Sequence, residues 1–315
     1  VTATIRCNVI QLENGGGLWV HSPQYPTGEF MELLADLDQP VKHIVLPCNA
    51  LEHKAPMQDF CKRFPTASVW ISPGQYGPFG SCGTSMKDKV LSMPYRVDGI
   101  LGEVNSPPPP WADEFDIATL FVSLPQNAGP VSEVAFLHKP TNTLVATDAV
   151  VYIPSGKAPD IFSTYFDDAT MNDPTFWPKS VLQAVFLPLR TNNDDSTSYP
   201  GFEALQNRLV RAPILRAFAD ARAPTEVQEW IGTISKWKFD RILTSHFSSP
   251  IRATPLEFEQ AFAYLNDSAD DRMLAKSQLP PIACQDWELL EGLNQVIAKN
   301  KLGAPATFDY KSDCL

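Results

Sequence analysis

The chain has 315 residues, 44% of them hydrophobic and 19% charged, and a formal net charge of −11 at pH 7. That length buries roughly three quarters of its unfolded surface without staples, and the composition is that of an ordinary soluble globular protein of one large or two small domains. Acidity without a Lys/Arg run argues against nucleic acid as the main partner, and no apolar run reaches the roughly 18–20 residues of a membrane span.

Strand and helix patterns alternate along the chain. Gly17 to His21 reads as a strand ending at the Ser22-Pro23 turn. Thr27 then caps a helix whose apolar positions Phe30, Leu33, Leu34 and Leu37 follow the helical period and stop before Pro40. His43 to Leu46 is a short buried strand. The loop from Pro47 to His53 leads into a helix with Pro56 in its first turn. Val69 to Ile71 is a further strand, and residues 75–112 are rich in turns. Ile117 to Val122 forms a strand, and 134–137 with 143–147 form a hairpin about Lys139 to Asn142.

Residues 154–202 read as an acidic, loop-rich stretch whose aromatic residues Tyr165, Phe166, Phe176 and Trp177 either pack locally or form a docking surface. Two helical patterns follow: 202–221, kinked at Pro213, and 225–237, which buries Val227, Trp230, Ile231, Ile234 and Trp237. Phe239 to Thr244 is a last strand. Thr254 and Glu257 then make a capping box for the helix carrying Phe258, Phe262 and Leu265. The tail from about 279 holds one short helix and a polar end. Strands interleaved with helices, plus a hairpin, indicate a layered α/β domain with a mixed sheet.

The six cysteines, Cys7, Cys48, Cys61, Cys82, Cys284 and Cys314, contain no CxxC pair, which argues against a disulfide scaffold or a structural thiolate zinc site and for a reducing compartment. Gly80-Ser81-Cys82-Gly83 offers a thiol with no basic neighbour to activate it. Asp167-Asp168 and Asp194-Asp195 lack the spacing of a calcium loop and read as a solvated face. Gly15-Gly16-Gly17 precedes a strand, so it builds no phosphate cradle at a helix start.

Of five histidines, His53 and His246 follow buried strands, and Asp148 ends the second hairpin strand. Loops leaving strand ends are where ligands gather in layered α/β folds. Glu52, His53, Asp148 and His246 therefore make a candidate nitrogen and oxygen site suited to zinc, iron or manganese. The competing reading of each histidine is a hydrogen-bonded loop or core residue.

The order of these elements and residues resembles the metallo-β-lactamase fold. The segments from Leu18 to Pro23, Val41 to Pro47, Asn49 to Lys54 and Val69 to Gly74 are similar to an uncharacterised family with that fold, found in photosynthetic lineages and elsewhere, over about residues 5–265. The resemblance implies an αββα sandwich with mixed sheets over 1–275, loop-rich insertions near 75–112 and 154–202, and a C-terminal extension over 276–315.

The superfamily's first motif, His-x-His-x-Asp-His, falls on Cys48 to His53. Cys48 and Ala50 stand where the two leading histidines belong, Glu52 replaces the Asp, and His53 matches. A further histidine falls near Gly129 and is missing. The metal-bridging Asp matches Asp148, and the last histidine matches His246. The comparison puts Cys48 beside the metal pocket, where three readings stay open: a metal ligand, a site of oxidation or, as favoured, a filler for the space of a lost imidazole. The resemblance thus implies loss of all three ligands of one metal position. The other position, Glu52, His53, Asp148 and His246, is then either a site for a single metal or on its way to being vacant.

Two functions follow. One is a mononuclear metal-dependent hydrolase acting on an unknown small molecule, with Glu52 or Asp148 as general base. The other is an inactive scaffold serving as accessory subunit of a larger plastid assembly through loops 103–112 and 154–202. The family's occurrence implies a plastid location, with Val1 left by removal of a transit peptide.

Overall fold

The computed structural model describes residues 4–13, 15–75, 93–123, 130–186, 200–265 and 284–300. Two five-stranded sheets face one another. In the first, β1 (Asn8–Leu12) pairs antiparallel with β2 (Gly17–His21), and β3 (Val41–Leu46), β4 (Ser68–Ile71) and β5 (Gly99–Ile100) follow in parallel. In the second, β6 (Phe115–Val122), β7 (Val131–His138) and β8 (Thr143–Val145) form an antiparallel meander. Next to it β11 (Arg241–Leu243) runs parallel to β8, and β12 (Ile251–Arg252) closes the edge.

Side-chain alternation along each strand explains the layers. In β7, Val134 and Phe136 point between the sheets and join Trp19, Val45, Trp70, Trp111 and Phe115 in an aromatic core. The alternate residues Ala135 and Leu137 face outward and meet Val227, Trp230, Ile231 and Ile234 of helix Pro224–Ile234 and Phe258 of helix Pro255–Gln260. On the other side Leu18, Val20, Ile44 and Leu46 pack against Leu34 of helix Gly28–Ala35 and Met57 and Phe60 of helix Met57–Arg63. Helices outside, two mixed sheets inside: the fold is an αββα sandwich.

Several local expectations are corrected. β1 and β5 carry no strong sequence signal and appear only as partners of β2 and β4. Glu52 and His53 lie on a one-turn helix, Leu51–Lys54, rather than in a loop, and Pro56 precedes the next helix as its N-cap. The helix expected over 202–221 is broken. Helix Pro200–Leu205 ends at Asn207, whose φ of +58° halts it, and β10 (Leu209–Val210) pairs with β9 (Val151–Tyr152). Pro213 then opens a short helix, Pro213–Leu215, followed by a π-turn over Arg216–Asp220.

The loop-rich stretch after 154 contains helices Asp168–Asn172 and Phe176–Phe186 and a core of its own. Phe162, Trp177, Val181, Leu182 and Val185 are buried there, while Tyr165 stays 77% exposed. Asp167 caps the first of these helices through the Thr170 N–H at 2.8 Å, so it is a structural residue. The C-terminal helix, Cys284–Lys299, has 16 residues and is longer than expected. The capping box of Thr254 and Glu257 forms as read. Gly80 to Gly83, Gly129, Asp194, Asp195 and Cys314 lie outside the described residues. Among the described residues no helix is long and apolar enough to cross a membrane.

Candidate metal centre

Four chain segments converge where β2, β3, β8 and β11 end. β3 runs into Pro47, whose carbonyl accepts the Val134 N–H of β7 at 2.8 Å, so the two sheets are tied at this edge. Four residues later begins the helix Leu51–Lys54, which carries Glu52 and His53. Thr147 and Asp148 follow β8, and Ser245 and His246 follow β11. The Ser245 N–H donates to the Thr147 carbonyl at 3.3 Å and locks these two loops together.

The sequence candidates meet. Glu52, His53, Asp148 and His246 each bring one donor atom within 4.8 Å of the others. His53 Nε2 lies 3.2 Å from His246 Nε2, and Asp148 Oδ1 lies 3.7 Å from the first and 3.0 Å from the second. Two donors on one tetrahedral ion with bonds of ~2.0–2.1 Å stand ~3.4 Å apart. The three observed edges bracket that value, so these residues fit a single zinc-sized ion. His53 is fully buried, Asp148 and His246 are 20% and 14% exposed, and Glu52 sits exposed at the rim.

Both rings are oriented from behind. His246 Nδ1 donates to the Thr4 carbonyl at 2.9 Å, which leaves the Nε2 lone pair of the neutral ring free to face inward. His53 Nδ1 is 2.6 Å from the Ser22 hydroxyl. The backbone is bent to achieve this: Ser22 and Phe247 both have φ of +54°, unusual for residues with a side chain. The Ser22 N–H is held by the Val45 carbonyl at 2.9 Å, and the Phe247 N–H by the Thr4 hydroxyl at 3.1 Å.

Electrostatics favour a cation here. Burial pushes the Asp148 carboxyl up, but the charges and hydrogen bonds of His53 and His246 outweigh it and hold it below the usual carboxylate range. Burial lowers His246, and the Asp148 carboxylate more than compensates, so the ring titrates above its ordinary value. A proton or a metal ion on His246 answers the same negative field.

Sequence reasoning missed a second group. Cys48, Glu133 and Asp148 also bring donor atoms within 4.8 Å of one another. Glu133 lies in β7 beside Cys48, the two joined by an isolated antiparallel bridge. Its Oε1 accepts the N–H groups of Thr147 at 2.7 Å and Asp148 at 3.1 Å, so it also props the Asp148 loop. Burial and then the Asp148 charge push the Glu133 carboxyl up to about 8. The same two causes raise the Cys48 thiol. The signal was a charged residue inside the strand Val131-Ser132-Glu133-Val134-Ala135, which is otherwise buried on both faces.

Behind Asp148 sits a buried ion pair. Arg211 grips Asp220 through Nε at 3.0 Å and Nη2 at 2.9 Å, and its Nη1 reaches the carbonyls of Asp148 and Ala149 at 3.3 and 3.1 Å. Tyr264 donates its hydroxyl to the same Asp220 carboxylate. The other three histidines stay outside the site. His43 bonds Ser68, His138 bonds Thr141, and buried His21 stacks on Trp19 with its pKa pushed down to about 3, first by burial and then by His53.

Comparison with known proteins places the chain in a family. The model of the family described as Domain of unknown function (DUF4336) matches residues 1–175 and 169–264, and the chain belongs to that family. No curated protein matches it. Among solved structures, a protein described as diflavin flavoprotein A 5 (a fragment) from Nostoc sp. PCC 7120 is 13% identical, with 88% of this chain and 84% of that one covered and a TM-score of 0.43. The metal-soaked Flv1 flavodiiron core from Synechocystis sp. PCC6803 is 8% identical, covers 84% of this chain and 52% of that one, and has a TM-score of 0.40. A metallo-β-lactamase from Pontibacter korlensis is 11% identical over 85% and 97% of the two chains, with a TM-score of 0.34.

Proposed function

We propose that this member of the DUF4336 family is a metal-dependent hydrolase whose ion is held by His53, Asp148 and His246, with Glu52 at the rim. One observation carries the reading: both imidazoles are fixed at Nδ1 by groups outside the pocket while both Nε2 atoms face one carboxylate oxygen. Zinc suits the two nitrogens and one oxygen, with iron or manganese the other ions of matching preference. When bound, such an ion supplies Lewis acidity and makes a nearby water more acidic.

The chain's own residues divide the remaining work. Ser22 and the Thr4 carbonyl hold the rings in register. Glu52, exposed beside His53, is the carboxylate placed to take a proton from water or give one to a leaving group. Asp148, committed to both histidines, serves as ligand more than base.

The test is a panel of ester, thioester, phosphodiester and lactam substrates offered to metal-loaded protein. Hydrolysis of one class, lost in His53→Ala and reduced at least tenfold in Glu52→Gln with metal retained, supports the reading. No turnover of any class by metal-loaded protein counts against it.

A second reading is an accessory subunit of a plastid assembly. It draws on Val104, Ile161 and Tyr165, apolar side chains 99%, 56% and 77% exposed on the two insertions. Migration of the native protein as a free monomer in plastid extracts, or its recovery from the cytosol alone, would refute it.

A further inference from the structure

We propose that the C-terminal helix Cys284–Lys299 is a strap that sets the position of the Asp148 loop, acting through the π-turn Arg216–Asp220. The strap controls the pocket without entering it, and it holds with or without an ion there.

A connected set of hydrogen bonds runs from the helix, through one backbone turn, to the pocket. Arg222 Nη2 donates to the side-chain oxygen of Asn294 and, at 3.5 Å, to its carbonyl. Nη1 of the same guanidinium donates to the Phe218 carbonyl, inside the π-turn, at 3.1 Å. The turn ends at Asp220, whose carboxylate accepts two hydrogen bonds from Arg211 and one from Tyr264. Arg211 Nη1 then reaches the carbonyls of Asp148 and Ala149, the last link. Arg222 also lies 5.6 Å above the Phe218 ring, and Ile297, three residues after Asn294 on the same face of the helix, is buried. A charged contact and an apolar one therefore seat that face.

The π-turn is the part that can switch. The Ala221 N–H bonds the Arg216 carbonyl at 3.0 Å, five residues back, whereas the Arg216 and Ala223 N–H groups bond the Ala212 and Ala219 carbonyls, four residues back. A single wide turn between α-type bonds has a second register close by, and one residue of an α-helix is a rotation of about 100°. Such a slip carries the Asp220 carboxylate away from Arg211 and removes the support of the Asp148 carbonyl. Arg222 holds the Phe218 carbonyl of the wide turn, and Asn294 holds Arg222, so a seated helix favours the register in which Asp220 meets Arg211. The helix is lightly held. Among its described side chains only Ile297 is buried, while Glu288, Gln295, Val296 and Lys299 are exposed, so it can lift without disturbing either sheet.

The experiment is hydrogen–deuterium exchange of the full-length, metal-free protein, comparing wild type with Asn294→Ala and Ile297→Ala. Its outcome is thus independent of whether an ion binds. In both variants the Thr147 and Asp148 amides, which bond Glu133 Oε1, are expected to exchange about fivefold faster or more. The Ile44 and Val45 amides of β3 keep the wild-type rate, which also shows that the variants are folded. Asn294→Asp, which keeps an acceptor for Arg222, restores the wild-type rate at Thr147 and Asp148. Faster exchange confined to 216–222 and 284–300 makes the helix a cover only and overturns the strap. An equal rise at Ile44 and Val45 overturns it too, because the helix then supports the whole fold rather than this loop.

Discussion

Asp148 divides the pocket into two unlike halves. On one side His53 and His246 come from segments 193 residues apart, and an exposed Glu52 leaves that side open to solvent. On the other side Cys48 and Glu133 are sealed by Asn49, Gln75 and the Arg211–Asp220 pair. The open half is built by orientation: each ring is aimed by one hydrogen bond from outside. The closed half is built by burial: its groups are held by backbone contacts and carry the electrostatic cost of being away from water. Damage to the closed half is therefore expected to show first in stability, and damage to the open half first in metal affinity.

The largest expected effect breaks the wall behind Asp148. Asp220→Ala leaves Arg211 buried without its carboxylate, and removing one partner of such a pair costs about 3–5 kcal/mol. Chemical denaturation of the variant should show that loss; a change below about 1 kcal/mol would mean the wall is not structural.

Next comes pH. Glu133 titrates at about 8 in the folded, metal-free protein against an ordinary 4.5, so the native state holds its proton more tightly than the unfolded chain does. Its contribution to stability is complete below pH 4.5 and is lost as pH rises through 8, a change of a few kcal/mol. Denaturation of metal-free protein across that range should show the slope, and Glu133→Gln should flatten it. An unchanged slope in the variant would assign the effect elsewhere.

A smaller effect belongs to the open half. Ser22→Ala removes the group that aims His53 and should weaken metal binding about 10–100-fold with little change in stability. Competition against a chelator measures this, and wild-type affinity in the variant would show that packing alone sets the ring. The smallest effect is the control. Thr254→Ala removes the capping box of a distant helix, costing about 1 kcal/mol, and should leave metal affinity unchanged.

The two halves were also unequally legible in the sequence. His53, Asp148 and His246 each follow the end of a short strand, a placement that apolar runs and turn residues reveal directly. Glu133 lies inside a strand, and only the three-dimensional pairing of β7 with the loop after β3 shows that it meets Cys48. Comparison with a motif of histidines brings Cys48 to the pocket, whereas the fold shows that it faces Glu133 and Asp148.

The layers were readable because β2 and β7 bury nearly every residue and helix Pro224–Ile234 has a clear apolar stripe. The helix Phe176–Phe186 was not, because Pro174 and Pro178 interrupt the pattern of Trp177, Val181, Leu182 and Val185. Nor was the break near 207, where pairing of Leu209 and Val210 with β9 overrides helical periodicity.

The most direct test of the central claim is elemental analysis of untagged wild-type protein and a His246→Ala variant, both purified without added metal and mildly dialysed. At least one zinc, iron or manganese ion per chain in the wild-type protein, with one equivalent lost in the variant, is the predicted result. No metal in the wild-type protein, or equal content in the two, would contradict the metal site at His53, Asp148 and His246.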